Sequence, residues 1–99
     1  MKIVSLFLVL VVGTISLSID ADDLRRSEIR RLVEEDRILP LQSILTRYPE
    51  EEYGRLLDLE AEREDGLVVY ELEFLQPNGR VLEIKVDASN GRLLEKEYE

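Results

Sequence analysis

The stretch VLEIKVDASNGRLL, residues 81–94, sets the pattern for the second half of the chain. Every second residue from Leu82 to Val86 is aliphatic and alternates with a charged residue, the period of two expected for a strand with one buried face. The chain then reaches Asn90 and Gly91, a pair that tolerates the positive φ angles of a tight turn. Aliphatic residues resume at Leu93. The stretch therefore predicts two antiparallel strands joined by a short turn.

The same period of two extends upstream, through LLDLEAERE (56–64) and VVYELEFL (68–75). Asp65-Gly66 separates these two segments, and Pro77-Asn78-Gly79 separates the second from the quoted stretch, so short turns join them all. We predict a four-stranded antiparallel meander. The residues predicted to point inward are Leu57, Leu59, Ala61, Val68, Tyr70, Leu72, Phe74, Leu82, Ile84 and Val86. In the last strand the inward side is either Leu94 with Tyr98, or Leu93.

Two helices are predicted before the strands. DADDLRRSEIRRLVEEDR, residues 20–37, has an apolar stripe at helical spacing, and either Asp20 or Asp22 is expected to cap its start. PLQSILTRY, residues 40–48, predicts a second, short helix with Pro40 in its first turn. The apolar stripes of both helices need a surface to cover them, and the sheet offers one. The predicted fold is α+β in two layers, with the N-terminal helix and the short second helix packed on one face of the meander.

The first residues have a different composition. Residues 1–18 contain one basic residue, then an apolar run, then small residues, the order typical of a secretory signal peptide. We predict cleavage after Ser18, which leaves residues 19–99 as the folded domain in a periplasmic or secreted location. The alternative is an uncleaved membrane anchor. Against it, the apolar run is somewhat shorter than the roughly 20 residues of a spanning helix, and arginines follow on the side that would stay outside.

The charge of the chain restricts its partners. The formal net charge is −9, and residues 19–99 keep 12 basic and 22 acidic side chains, a net charge of −10. Nucleic-acid binding begins with phosphate neutralisation by Lys and Arg, so we exclude a nucleic-acid partner. Basic proteins and cations remain as possible partners. Stable membrane insertion is not expected once the signal peptide is removed.

Enzymatic activity is not predicted. The chain has no histidine and no cysteine, which removes the commonest general base, the thiol nucleophile and most zinc ligands. No base stands beside the hydroxyl residues in the sequence. Carboxylate pairs on an open sheet face lack the cleft that glycoside hydrolysis requires. We predict no catalytic residue, no cofactor and no metal site, and no EF-hand spacing is present.

The order of segments resembles the PepSY domain, a small module of thermolysin-like metallopeptidase propeptides and of many exported bacterial proteins. The family pattern is a Tyr-Glu-Val-Glu-like strand, a glycine turn, and a strand ending in Val-Asp-Ala-x-x-Gly-x-(Val/Leu)-Leu. The matching positions are VYELEF (69–74), Gly79, VLEIKV (81–86), Asp87, Ala88, Gly91, Leu93 and Leu94. The resemblance covers residues 22–98. It departs at Ser89-Asn90, where a threonine is common, and at Leu82, where an aromatic residue is common.

The resemblance implies a non-enzymatic module that binds or inhibits a peptidase, or regulates a membrane sensor through its ectodomain. Inhibition would proceed by occlusion through a sheet edge or a loop. It supplies no functional residue. The alternative function is an acidic structural or cation-binding protein of the cell envelope.

The predicted strands place most of the acids on one side of the sheet. If the alternation holds, an acidic face points away from the helices, with Lys85 as its main positive group. The acidic face consists of Asp58, Glu60, Glu62, Glu64, Glu71, Glu73, Glu83, Asp87, Glu95 and Glu97. A face built only for stability would mix the signs. Its candidate docking residues for a protein partner are Asp58, Glu60, Glu62, Glu71, Glu73, Glu83 and Asp87, and the alternative is a solvated face that keeps the protein soluble.

A second charged feature lies on the first predicted helix. Arg25, Arg26, Arg30 and Arg31 form a basic side. This side is either an ordinary charged surface or a contact for anionic lipid headgroups or for the acidic face of a second copy.

Overall fold

The computed structural model describes residues 21–99, which fold into three helices and a five-stranded sheet. The elements are β1 (Ala21–Asp23), α1 (Arg26–Glu34), α2 (Leu41–Arg47), α3 (Glu50–Tyr53), β2 (Arg55–Glu64), β3 (Leu67–Leu75), β4 (Val81–Asp87) and β5 (Leu93–Tyr98). The sheet order is β1-β2-β3-β4-β5, and every neighbouring pair is antiparallel. The predicted α+β fold with a four-stranded meander is confirmed, and β1 adds an unpredicted fifth strand at one edge.

The core lies between the helices and one face of the sheet. Tyr70, Leu72 and Phe74 of β3 are fully buried, which follows from their alternation with glutamates. The core also contains Leu32, Ile38, Ile44, Tyr48, Ala61, Leu82, Ile84, Val86 and Ala88. This arrangement confirms the inward residues predicted for β3 and β4, with Val68 packed at the edge of the core.

Buried hydroxyl groups tie the helical layer to the sheet. The Tyr70 hydroxyl donates to the carbonyl of Leu39 at 2.8 Å, and the Tyr48 hydroxyl donates to the carbonyl of Gly91 at 2.7 Å. The rings of Tyr48 and Tyr53 meet edge to face, with their centroids 5.4 Å apart. Each buried hydroxyl is therefore satisfied, as a stable core requires. Tyr48 and Tyr53 thus close one edge of the core.

A β-bulge breaks the alternation predicted for β2. Leu56 pairs with Phe74 and Asp58 pairs with Glu73, so Leu57 is the extra residue between two regular pairs. Leu57 is 44% exposed, and its predicted inward position is wrong. Leu56 packs against the core in its place, together with the correctly predicted Leu59.

Helix α1 begins later than predicted. Asp22 lies in strand β1, so it does not cap the helix, and Asp20 lies outside the described residues. The N-cap residue is Arg25, whose backbone N–H donates to the Glu28 carboxylate at 3.0 Å. A side chain in the first turn of the helix thus satisfies a backbone N–H group at its start. The backbone before it pairs with β2.

Two of the three prolines stand at helix N-caps in this fold. Pro40 precedes α2, and Pro49 precedes the short helix α3, which the sequence analysis did not predict. Helix α2 ends at Arg47, two residues before Pro49. A proline needs no N–H donor at a helix start, so each proline both closes one segment and opens the next.

Strand β5 is the most exposed strand of the meander, with no buried side chain. Its register places Leu93 opposite Val86 and Tyr98 opposite Leu82, so these two side chains share the core side of the sheet. They remain 46% and 42% exposed. The register thus bears out Leu93 of one predicted alternative and Tyr98 of the other, whereas Leu94 is the extra residue of a second β-bulge. None of them is buried, because the helical layer leaves this edge of the sheet uncovered.

The predicted signal peptide, residues 1–18, lies outside the described residues. Among residues 21–99, no helix is long and apolar enough to span a membrane.

Candidate interaction face

Four acidic residues form an unbroken row across four strands. Asp58 pairs with Glu73, Glu73 pairs with Glu83, and Glu83 pairs with Glu97. Neighbouring strands lie about 4.8 Å apart, so these carboxylates follow one another across the sheet without a compensating cation in the row. Directly opposed like charges destabilise a strand pair. The row is therefore a local cost in stability at the centre of the acidic face.

The next row carries Lys85, the main basic residue of the acidic face. Glu60 pairs with Glu71, Glu71 with Lys85, and Lys85 with Glu95. The Lys85 ammonium does not bind its direct partner on β3. It reaches past β3 to the Glu64 carboxylate on β2, at 2.9 Å.

The ion pair shifts the pKa of both partners. Hydrogen bonding to Lys85 lowers the pKa of Glu64, and the same bond raises the pKa of Lys85. Both side chains are about one-quarter exposed, so the pair is better shielded from water than an ordinary surface pair. Val69 lies between them in the register and is only 2% exposed. The alternation of the strand gave no sign that this apolar residue of the acidic face is buried.

Glu71 is the most perturbed carboxyl group. A side-chain hydrogen bond with Glu83, burial, and the charge of Glu62 raise its pKa from 4.5 to about 8. Two neighbouring carboxyl groups cannot both ionise without strong repulsion, so one of them retains a proton. Lys85 does not relieve Glu71 because its ammonium group is bound to Glu64. The acidic face therefore holds a carboxyl group that titrates near neutral pH.

The Asp87 side chain accepts hydrogen bonds within a turn. One of its carboxylate oxygens, Oδ1, accepts hydrogen bonds from the Ser89 backbone N–H at 2.9 Å and from the Ser89 hydroxyl at 2.7 Å. Asn90 accepts from the Arg92 backbone N–H at 2.9 Å, and Gly91 has a φ of 79°. These contacts stabilise the turn that the sequence predicts at Asn90 and Gly91. Asp87 lies on the acidic face by register, opposite Val69, but part of its acceptor capacity is already used.

The other candidate docking residues lie where the alternation predicts them. The register places Asp58, Glu60, Glu62, Glu71, Glu73 and Glu83 on the face opposite the core. Their side chains are exposed or half-exposed. The unbroken row could not be predicted, because the turn lengths alone do not fix which acids stand opposite each other. The signal available in the sequence was the alternation of glutamates in each separate strand.

Two groups of acids come close enough to share a cation. One consists of Asp23, Glu60 and Glu62, and the other of Glu73, Glu83 and Glu99, with ligand oxygens in each group within 4.8 Å of one another. Carboxylate oxygens suit Ca²⁺. These groups were not predicted as metal ligands, and exposed acids often cluster without an ion.

The predicted basic side of α1 is exposed to solvent. Arg25, Arg26, Arg30 and Arg31 all lie at the surface. Within residues 21–99, Arg31 pairs with Glu35 at 4.0 Å, between well-exposed side chains. Such a pair contributes little to stability.

Comparison with known proteins gives one family. The family described as PepSY, "Peptidase propeptide and YPEB domain", matches residues 47–97. The match runs from the last residue of α2 into β5, so it contains the meander and the acidic face, while β1 and α1 precede it. No curated protein matches the chain, and no solved structure matches it. Since the match spans more than half of the 99 residues, the chain belongs to the PepSY family.

Proposed function

We propose that this protein is an exported, non-enzymatic interaction domain that binds a peptidase or another envelope protein, such as the ectodomain of a membrane sensor, and inhibits or regulates it. The observation that carries the proposal is the row Asp58–Glu73–Glu83–Glu97 on an uncovered sheet face. The row lowers stability and completes no core, so a complementary partner is the simplest reason to keep it. Membership in a family of peptidase propeptide modules supports a peptidase as that partner.

The proposal includes export. The order of a basic start, an apolar run and small residues favours a signal peptide at residues 1–18 and a domain from residue 19 to residue 99. PepSY domains occur in exported proteins, which agrees with this assignment. Mass spectrometry of the protein recovered from the periplasm or the medium tests it, since cleavage after Ser18 gives a defined new N-terminus.

Affinity capture from envelope extract tests the binding function. The baits are the wild-type chain and the charge-reversed variant Glu73→Lys/Glu83→Lys. We expect the wild type to retain a partner at low salt, and the variant to lose it, because the contact is electrostatic and is screened by salt. When the partner is a peptidase, added wild-type chain should lower its activity on a fluorogenic substrate.

A matched control carries the same change of charge elsewhere. Glu51→Lys/Glu52→Lys reverses two exposed acids on α3, outside the acidic face. This control should behave as the wild type does. Equal capture by the face variant and the wild type, or no partner at either salt concentration, would contradict the proposal.

The second candidate function is cation binding by the acid groups Asp23/Glu60/Glu62 and Glu73/Glu83/Glu99. A Ca²⁺ titration followed by thermal unfolding distinguishes it. A clear rise in Tm at millimolar Ca²⁺ that Glu60→Gln/Glu83→Gln abolishes would favour this function, because each substitution removes a ligand from one group and a ligand of the folded state stabilises that state.

A further inference from the structure

The outer edge of β5 has unpaired backbone groups. β5 ends the sheet, and no other strand within residues 21–99 pairs with its outer side. The Glu99 N–H donates to the Val81 carbonyl at 2.9 Å. In an antiparallel ladder the bonded positions alternate along each strand. Glu97 and Glu95 therefore bond inward to β4, and the N–H and C=O groups of Lys96 and Tyr98 point to the free edge.

The side chains of β5 divide into two chemically different sets. Glu95 and Glu97 extend the two charged rows of the acidic face, since they pair with Lys85 and Glu83. On the core side, Leu93 and Tyr98 are 46% and 42% exposed because no helix covers them. By register Lys96 lies between these two residues on the core side, and the Arg80 guanidinium lies over the Tyr98 ring at 4.4 Å. A strand that adds to this edge thus meets acids on one face, and on the other face two half-exposed apolar side chains with Lys96 between them.

A second copy of this chain does not fit the edge. When a twofold axis normal to the sheet relates two antiparallel β5 strands, the acidic faces of both copies lie on the same side of the joined sheet. Side chains on the acidic face of one copy then stand opposite side chains on the acidic face of the other. Glu95 or Glu97 of one copy would then face Glu95, Glu97 or Glu99 of the other on the acidic face. Like charges in direct opposition destabilise the pairing. The edge therefore discriminates against self-association and favours a strand of opposite charge.

We propose that β5 binds an extended segment of a partner as a sixth strand of the sheet, and that this segment carries Lys or Arg at every second position with apolar residues between. Its basic side chains would face Glu95 and Glu97, and its apolar side chains would cover Leu93 and Tyr98. Its backbone would pair with the free groups of Lys96 and Tyr98. The inference rests on the proposed function, since it names the mode by which the acidic face receives its partner.

Peptide binding to the full chain provides the test, with fluorescence anisotropy as the measurement. The probe is a short labelled peptide of alternating lysine and valine. A control peptide of the same composition has its lysines grouped at one end, so it cannot place them all on one face of a strand. We expect the alternating peptide to bind at least about tenfold more tightly than the grouped one. Equal affinities would show a general charge effect and overturn the proposal.

The variant Lys96→Pro tests the edge itself. It removes an N–H that points to the free edge, and proline is tolerated on an edge strand when its missing donor faced solvent. The substitution also removes a positive charge, so a purely electrostatic contact would strengthen. We expect affinity for the alternating peptide to fall at least about tenfold, whereas the matched control Lys96→Thr keeps or increases it. Unchanged binding by Lys96→Pro would overturn the proposal.

A peptide-side control removes any dependence on the folding of the variant. Methylation of alternate backbone nitrogens of the alternating peptide blocks its hydrogen bonds on one side and leaves its charge unchanged. Loss of binding to the wild-type chain supports strand addition, and retention contradicts it. The sixth-strand inference can also fail while the proposed function holds. If Glu73→Lys/Glu83→Lys loses the peptide while Lys96→Pro and the methylated peptide still bind, the acidic face is a docking surface, and the sixth strand is wrong.

Discussion

Lys85 stands directly opposite Glu71, yet its ammonium group binds Glu64 on the far side of β3. Because Lys85 pairs with Glu64, Glu71 lies beside the carboxyl groups of Glu62 and Glu83 without a cation bound to it. The register of the sheet, rather than the local sequence, decides which acid is neutralised. Glu71 therefore becomes the carboxyl group whose ionisation costs most.

Glu71→Gln should make stability less sensitive to pH. The pKa of Glu71 is about 8 in the fold and 4.5 when unperturbed, so between these values the folded state holds a proton that the unfolded state has lost. The stabilisation from this proton is fully present below pH 4.5 and is lost as the pH rises through 8. The variant should gain roughly 1 kcal/mol over the wild type at high pH, a value discounted because water screens a partly exposed site.

Urea unfolding of both proteins at several pH values measures this difference. Below about pH 4.5 the two free energies of unfolding should differ least, since both side chains are then neutral in either state. Glu51→Gln, on the exposed surface of α3, serves as the control and should track the wild type throughout. A constant offset between Glu71→Gln and the wild type across the whole range would refute the elevated pKa.

Gly54 should tolerate no side chain. Its φ is 111°, in a region that residues with a side chain rarely adopt. A Cβ atom there would also overlap the backbone of Leu75, with the carbonyl carbon only 2.9 Å away. Gly79 has a similar φ of 86° but open space around it. We expect Gly54→Ala to destabilise the fold by about 3 kcal/mol or more and Gly79→Ala by about 1 kcal/mol, as measured by denaturant unfolding. Equal losses would mean that the overlap relaxes freely.

At the level of elements, period-two alternation predicted β3 and β4 correctly and failed within β2. Tyr70, Leu72 and Phe74 alternate with acids and are all buried. Before Asp58, by contrast, two leucines are adjacent, Leu56 and Leu57, and either can face the core. The bulge places Leu56 on the core side, because the extra residue between Leu56 and Asp58 keeps Leu59 and Ala61 opposite the core residues of β3. The sequence contains no local signal that distinguishes these two arrangements.

The elements outside the meander were predicted less well for a related reason. β1 has only three residues and forms because Ala21–Asp23 meets the edge of β2. Helical spacing in the following segment favoured an earlier helix start, and tertiary pairing overrode that local preference. Short elements such as α3 depend on their surroundings more than on propensity.

Substitutions at the two leucines around the bulge test the register of β2. Both Leu57 and Leu59 were predicted to point inward, but Leu57 is 44% exposed and Leu59 packs against the core. We expect Leu59→Ala to lower the free energy of unfolding by roughly 2 kcal/mol, and Leu57→Ala by less than about 0.5 kcal/mol. Thermal and denaturant unfolding measure both. Similar losses at the two positions would restore the unbroken alternation, in which both leucines lie on the core side.

For the whole molecule, the acidic face is a property of the sheet rather than of any segment. The alternation predicted that its acids share one side, and the register confirms this placement for six candidate docking residues and for Asp87. The opposition of Asp58, Glu73, Glu83 and Glu97 depends on strand pairing and on two bulges. Those features arise only when the strands assemble. The sequence could therefore predict that the acids share one face, but not which acids stand in the same row.

Salt should stabilise the folded protein. The net charge is −9, and the acidic rows hold like charges within a few ångströms of one another. Screening shortens the range of repulsion from about 30 Å at low ionic strength to a few ångströms near 1 M. We expect Tm to rise by several degrees when NaCl is added, since about 1 kcal/mol corresponds to roughly 4–8 °C for a domain of this size. A fall in Tm would show that attractive pairs such as Lys85–Glu64 dominate.

Glu83→Lys separates a docking face from a solvated one. Glu83 lies between Glu73 and Glu97 in the register, so a lysine there replaces two repulsive pairs by two attractive ones, each contributing a few tenths of a kcal/mol. The variant should therefore be more stable than the wild type at low salt and should bind the alternating lysine–valine peptide more weakly. Calorimetry and anisotropy measure the two quantities on the same sample. Greater stability without loss of binding would mean that the acidic row only keeps the protein soluble. Opposite changes in stability and affinity would show that the row is retained for its partner, because nothing in the fold itself gains from it.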